Sequence, residues 1–253
     1  MIRGLALALL VLGAALWGAP ALLVPSAASA LAAAAGVELE FEGVRPALPW
    51  GMTAQRVRVV RGAGMAELRA LSARPSDGGL RVEALAGEGS LLLKTRGLSA
   101  LRSLRAQSLP LETLGPLLPL DLAVRGTADG VLRERDGRAT LEATVRRGAV
   151  SLRAPVEMEV PFAQLVVTAT REDDGGWRVD FADLRGPPLS GSARGRIEPD
   201  GRLDLRIEIS ALEEPALSAF ALGGLPTGPL PIQAELGGTL AHPVLLPLAP
   251  SQH

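Results

Sequence analysis

The chain has 253 residues, 26 Lys+Arg against 27 Asp+Glu for a formal net charge of −1, and neither cysteine nor tyrosine. The balanced charge gives no electrostatic case for nucleic acid. The missing cysteines exclude a disulfide framework, a thiolate nucleophile and a thiolate metal site, and 3% aromatics leave little surface on which bases or sugars stack.

The 47% hydrophobic fraction is unevenly placed. Residues 1–24 read as a cytoplasmic stub and a transmembrane anchor. Met1-Ile2-Arg3 precedes an apolar run from Gly4 to Val24, and about 20 helical residues cross about 30 Å of hydrocarbon. Arg3 is the only charged side chain before Glu38, an asymmetry that favours an inward N-terminus and an outward C-terminal domain. A cleaved signal peptide is the competing reading, because Ala28-Ser29-Ala30 fits the small-residue cleavage pattern after Ala30. Either way the remainder is exported. Residues 25–36 read as a short bridging helix: Ser26 to Ala35 is rich in alanine, the strongest helix former, and Gly36 suits its C-terminal cap.

Residues 37–253 read as an all-β periplasmic domain. After Gly36 the hydrophobic period becomes two, the mark of strands with one dry and one wet face. Val37 to Glu42 alternates without error. The pattern returns at Arg56–Val59, Leu80–Ala84, Ala139–Arg146, Trp177–Phe181, Leu203–Ile209 and Ile232–Leu236. Between these runs stand Asp77-Gly78-Gly79, Asp136-Gly137, Asp174-Gly175-Gly176 and Asp200-Gly201, which supply the positive φ angles of tight hairpins. Antiparallel meander pairing follows, since parallel strands need crossover helices. Leu98 to Leu118 is the main helical candidate, with Leu98, Leu101, Leu104, Leu111 and Leu114 spaced through a polar stretch and Pro110, Pro116 and Pro119 breaking it. One or two helical turns and then an extended linker are expected there.

A hairpin unit is duplicated at about 120–147 and 186–210. Gly126, Gly130 and Asp136-Gly137 correspond to Gly191, Gly195 and Asp200-Gly201, an offset of about 65 residues. The glycines are expected to relieve strand curvature or to allow close packing. With little helix to cover it, the curved antiparallel sheet has to form a groove, a flattened barrel or a sandwich. A groove would leave apolar surface open for acyl chains.

No catalytic, cofactor-binding or metal-ligating residue is expected. His242 and His253 are the only histidines, too few for a histidine-based metal site. Glu38, Glu40 and Glu42 read as one solvated strand face, with a divalent cation as the alternative. Asp173-Asp174-Gly175-Gly176 lacks the ligand spacing of a calcium loop and reads as a turn. Ser190 and Ser192 lack a histidine partner and a nucleophile elbow, so they read as surface hydroxyls. Arg146-Arg147 and the other arginines are dispersed among carboxylates, and Lys94 is the single lysine, read as a coding bias.

The layout resembles the type II secretion system protein N family. The resemblance is carried by the anchor, the Ala-rich helix ending at Gly36, the strand Val37-Glu38-Leu39-Glu40-Phe41-Glu42-Gly43-Val44-Arg45-Pro46 and the segment Leu48-Pro49-Trp50-Gly51 through Val59. Leu117-Leu118-Pro119-Leu120 and the ending Gly237-Gly238-Thr239-Leu240 with Pro243 contribute as well. The same features are similar to AsmA-like periplasmic proteins. The first resemblance implies a single-pass bacterial inner-membrane protein, non-enzymatic, that serves type II secretion through contacts with envelope or secretion-apparatus proteins. The second implies a module carrying lipid acyl chains in a β-sheet groove.

Overall fold

The computed structural model describes residues 38–47, 51–61, 64–96, 100–114, 124–152, 158–214, 216, 218, 221, 230–239 and 243–248. The expected anchor, bridging helix and cleavage pattern lie outside these residues. No helix among the described residues is long and apolar enough to cross a membrane. The chain forms two compact units, residues 1–118 with 129–135 and residues 119–128 with 136–253. Every ladder described is antiparallel, as the hairpin turns require, and the protein is all-β.

The first unit contains β1 (Glu38–Glu42), β2 (Arg45–Pro46), β3 (Met52–Arg61), β4 (Gly64–Ser76), β5 (Gly79–Ala86), β6 (Gly89–Arg96), β7 (Ala100–Pro110) and the single-turn helix α1 (Leu111–Leu114). Strands follow chain order, β1-β3-β4-β5-β6-β7, with β2 also on β3. No ladder joins β1 to β7 among the described residues, so this sheet is open and the barrel alternative is corrected. Its inner face is continuously apolar. Leu80, Val82, Ala84 and Ala86 on β5 and Leu91 and Leu93 on β6 are all buried. Thr95 is the one buried polar side chain among the described residues, and its hydroxyl accepts the Leu80 N–H at 3.0 Å. α1 packs on both β4 and β7.

Keeping that face intact demands shifts of phase. Buried positions run Met52, Ala54, then Val57, Val59 on β3, and Ala66, Leu68, then Leu71, Ala73 on β4. Each strand takes one step of three residues instead of two. The extra residue is Gln55 on β3 and the left-handed Ala70 (φ 48°) on β4. Gly43 (φ 68°), between β1 and β2, lies beside Gln55 at the same level. β4 slips against β5 between Arg69 and Ser72, which is a β-bulge.

In residues 98–118 one helical turn forms, as expected, but most of the leucine-spaced stretch before it is strand. Ala100–Pro110 is strand β7, paired with β6, and α1 is the only helical turn described in that segment. The register skips Arg102, since Lys94 faces Ser103 while Thr95 faces Leu101. A second left-handed residue, Ser108 (φ 49°), precedes buried Leu109. The bulge at Arg102 gives the strand the three-residue spacing of Leu101 and Leu104 that a helix also shows.

The second unit contains β9 (Arg138–Leu152), β10 (Met158–Arg171), β11 (Trp177–Arg185), β12 (Leu189–Ile197), β13 (Leu203–Leu212), β14 (Ile232–Gly238) and β15 (Pro243–Pro247), again in chain order. β8 (Val124–Arg135) divides between the units at Ala128/Asp129. All four expected Asp-Gly turns are present, each with its glycine at positive φ. Ile209, Ile232, Ala234 and Leu245 form one core cluster, and Val179, Leu203 and Leu205 another. The expected close packing of the repeat glycines holds at Gly195 (φ 144°), where a Cβ would stand 2.1 Å from the Asp204 carbonyl oxygen.

Leu93 is 1% exposed and Leu85, on the opposite face, 45%. Leu93→Ala is expected to cost about 2–5 kcal/mol, and Leu85→Ala no more than about 0.5 kcal/mol, read as urea-midpoint shifts at constant slope.

Candidate functional site

The acidic row of β1 meets arginines. Glu40 faces Arg58 and Glu42 faces Arg56 across the ladder, and the nearest N···O separations are 3.5 and 3.1 Å. Arg56 continues to Glu67 on β4 at 3.3 Å, and Arg69 reaches the same oxygen at 2.8 Å. The Arg69 hydrogen bond is the main cause holding the Glu67 carboxyl below its ordinary range, against desolvation and with help from the charges of Arg56, Arg69 and Arg58. Glu40 and Glu42 are therefore held by guanidinium groups. No group of three metal-capable side chains occurs among the described residues.

A second ionic lattice covers the outer face around β10–β12. Arg178 donates to Asp180 Oδ1 at 2.8 Å, and the Thr170 hydroxyl donates to Asp180 Oδ2 at 2.7 Å. These two bonds, Arg178 first, lower the Asp180 pKa. Arg196 pairs with Asp174, and its buried Nε lies 3.3 Å from Glu172 and 3.4 Å from Glu198 without making a hydrogen bond. A shallow depression lies over Glu172, Arg178, Asp180, Arg194 and Arg196, and Arg194 sits 6.0 Å from the Phe181 ring centre. Exposed pairs of this kind contribute little to stability, because solvent screens them. Apart from Arg194, the charged residues that line the depression pair with one another or with their neighbours.

Asp174 belongs to the β10–β11 turn, as expected. Its Oδ1 accepts from Gly176 N at 2.9 Å, and Gly175 N donates to the Glu172 carbonyl at 3.0 Å. Ser190 differs from the surface-hydroxyl expectation. It is half-buried and closes a loop, accepting from Gly186 N and donating to Gly186 O, both at 3.2 Å. Ser192 is half-buried beside it on β12. His242 and His253 lie outside the described residues.

Two features have the form of contact surfaces. β15 ladders only with β14 among the described strands, and its Leu246 is 46% exposed. Along β12 the inward positions Gly191, Ala193 and Gly195 are small, flanked by Val179, Ala182 and Leu184 on β11 and by Leu205, Ile207 and Ile209 on β13. That places a low furrow between two apolar rows. Neither was singled out from sequence: Leu246 lies in an ordinary apolar run, and only register reveals what flanks β12.

The Asp180 pKa is depressed in the fold, so its stabilisation is complete above the unfolded carboxylate pKa and is lost as pH falls through the folded value. The thermal midpoint is expected to fall as pH drops below about 4, and Asp180→Asn to remove part of that slope. In comparisons with protein-family models, curated proteins and solved structures, nothing matches the chain.

Proposed function

We propose that this protein is a non-enzymatic, inner-membrane-anchored component of type II secretion, holding a periplasmic β-sheet that acts by protein–protein contact. The supporting observation is β15, a five-residue terminal strand paired on one side among the described strands, with a large apolar side chain exposed beside it. An incoming strand gains main-chain hydrogen bonds at such an edge and specificity from alternate side chains. The apolar Gly4–Val24 run supports the anchor.

The β12 furrow favours a second reading, an AsmA-like lipid-binding or lipid-transfer module. Its floor carries no side chain larger than alanine between Gly191 and Gly195 on the inward positions, and its apolar flanks at Ala182, Leu184 and Ile207 are half-buried.

A photo-crosslinker at Leu246 is expected to capture a secretion-apparatus protein in cells, and Leu246→Glu to leave secreted cargo in the periplasm. Unchanged extracellular cargo after deletion of the chain overturns the first reading. Lipid co-purifying in stoichiometric amount, and displaced by Ala193→Phe, supports the second in its place.

A further inference from the structure

The near-neutral chain does not distribute its charge evenly. On β4–β7 the inward positions are apolar, and the basic residues point the other way. Leu71 and Ala73 are buried while Arg74 is exposed; Leu80 and Val82 are buried while Arg81 is exposed; Leu93 and Thr95 are buried while Lys94 is half-buried and Arg96 exposed. Arg102 and Arg105 on β7 are exposed too. Register brings them together. Arg74 faces Arg81, Arg81 faces Lys94, and Lys94 faces Ser103, so three cations stand in one row across three strands. Arg105 is one row away, opposite Leu92.

Like charges directly opposite in a sheet are unfavourable. Carboxylates relieve Arg56 facing Arg69 and Arg178 facing Arg196, whereas Arg194 facing Arg206 forms no ion pair among the described residues. Here Arg81 alone has a partner, Glu83. Among the described residues, Arg74, Lys94, Arg96, Arg102 and Arg105 form no ion pair. Composition does not explain this, since the whole chain has 26 basic and 27 acidic side chains. The one lysine of the protein stands in the middle of the row, so the position is basic rather than specifically arginine.

We propose that the outer face of β4–β7 docks on an anionic lipid surface. The cations spread over four strands, about 14 Å, which suits many headgroups rather than one bidentate ligand. Exposed Leu85, on the same outward positions of β5 as Arg81, adds the apolar contact that interfacial binders combine with basic charge. The inference rests on the tethered part of the proposed function, because an anchor on the same chain keeps headgroups at high local concentration. An acidic protein partner is the competing occupant.

The absence of cysteine makes Ser103→Cys a unique labelling site. The full chain, labelled there with a fluorophore, is placed in phosphatidylcholine vesicles with and without 30% phosphatidylglycerol, each carrying a headgroup quencher. Quenching is expected only with the anionic lipid and is expected to vanish in 0.5 M NaCl. Each of Arg74→Gln, Lys94→Gln and Arg102→Gln is expected to weaken docking about fivefold; the first two are expected to raise the thermal midpoint by relieving repulsion in the row, and Arg102→Gln, which faces no cation across the ladder, to leave it unchanged, which shows that the variants fold. Arg171→Gln and Arg206→Gln in the second unit are expected to leave docking unchanged. Equal quenching in both lipids, or insensitivity to the first three substitutions, overturns the proposal, as does binding of soluble poly-glutamate without response to phosphatidylglycerol. Flotation on pure phosphatidylcholine reads the tether separately: a chain that floats there but shows no lipid-dependent quenching retains its anchor and loses this docking face.

Discussion

Everything in this protein depends on keeping oil and water on opposite sides of a polypeptide whose side chains alternate. A slip of one residue sends every following side chain to the wrong face. In the first unit the buried positions of β5 and β6 keep strict alternation, whereas β3 and β4 change parity at Gln55 and Ala70 and stay on one face. Ala70 takes up a conformation that costs an L-residue about 1–2 kcal/mol. Burying Leu68 and Leu71 on one side outweighs that, since each large apolar side chain contributes about 1.5–3 kcal/mol.

This constraint also decides what was legible in the sequence. Strands with unbroken alternation and an Asp-Gly turn at one end, such as β5 and β13, were apparent from residues alone. β7 was not. Its register shift at Arg102 appears only in the pairing with β6, and without that partner the spacing of Leu98, Leu101 and Leu104 fits a helix as well as a strand. Surface chemistry was legible by residue type but not by neighbour. Glu40 and Glu42 were evidently wet, yet their arginine partners depend on the β1–β3 register. The row Arg74, Arg81 and Lys94 is scattered over 21 positions of sequence and becomes a row only through two ladders.

The two units treat their inner faces differently. On β5 every inward side chain from Leu80 to Ala86 is at most 5% exposed, whereas β12 shows a single buried residue, Gly191. Glycine and alanine on β12 bring neighbouring backbones close and supply little apolar area of their own. The second unit buries its apolar side chains instead on β11, β13, β14 and β15.

Strand order that copies chain order has a consequence for how such a molecule comes into being. Partners are near in sequence: Ala86 pairs with Gly89 and Ser76 with Gly79. Sheet proteins are usually slow to fold because distant segments must find each other before any reward arrives. Here each strand can be laid against one already in place, like courses of brick, and a chain threading out end-first never has to wait for its far terminus.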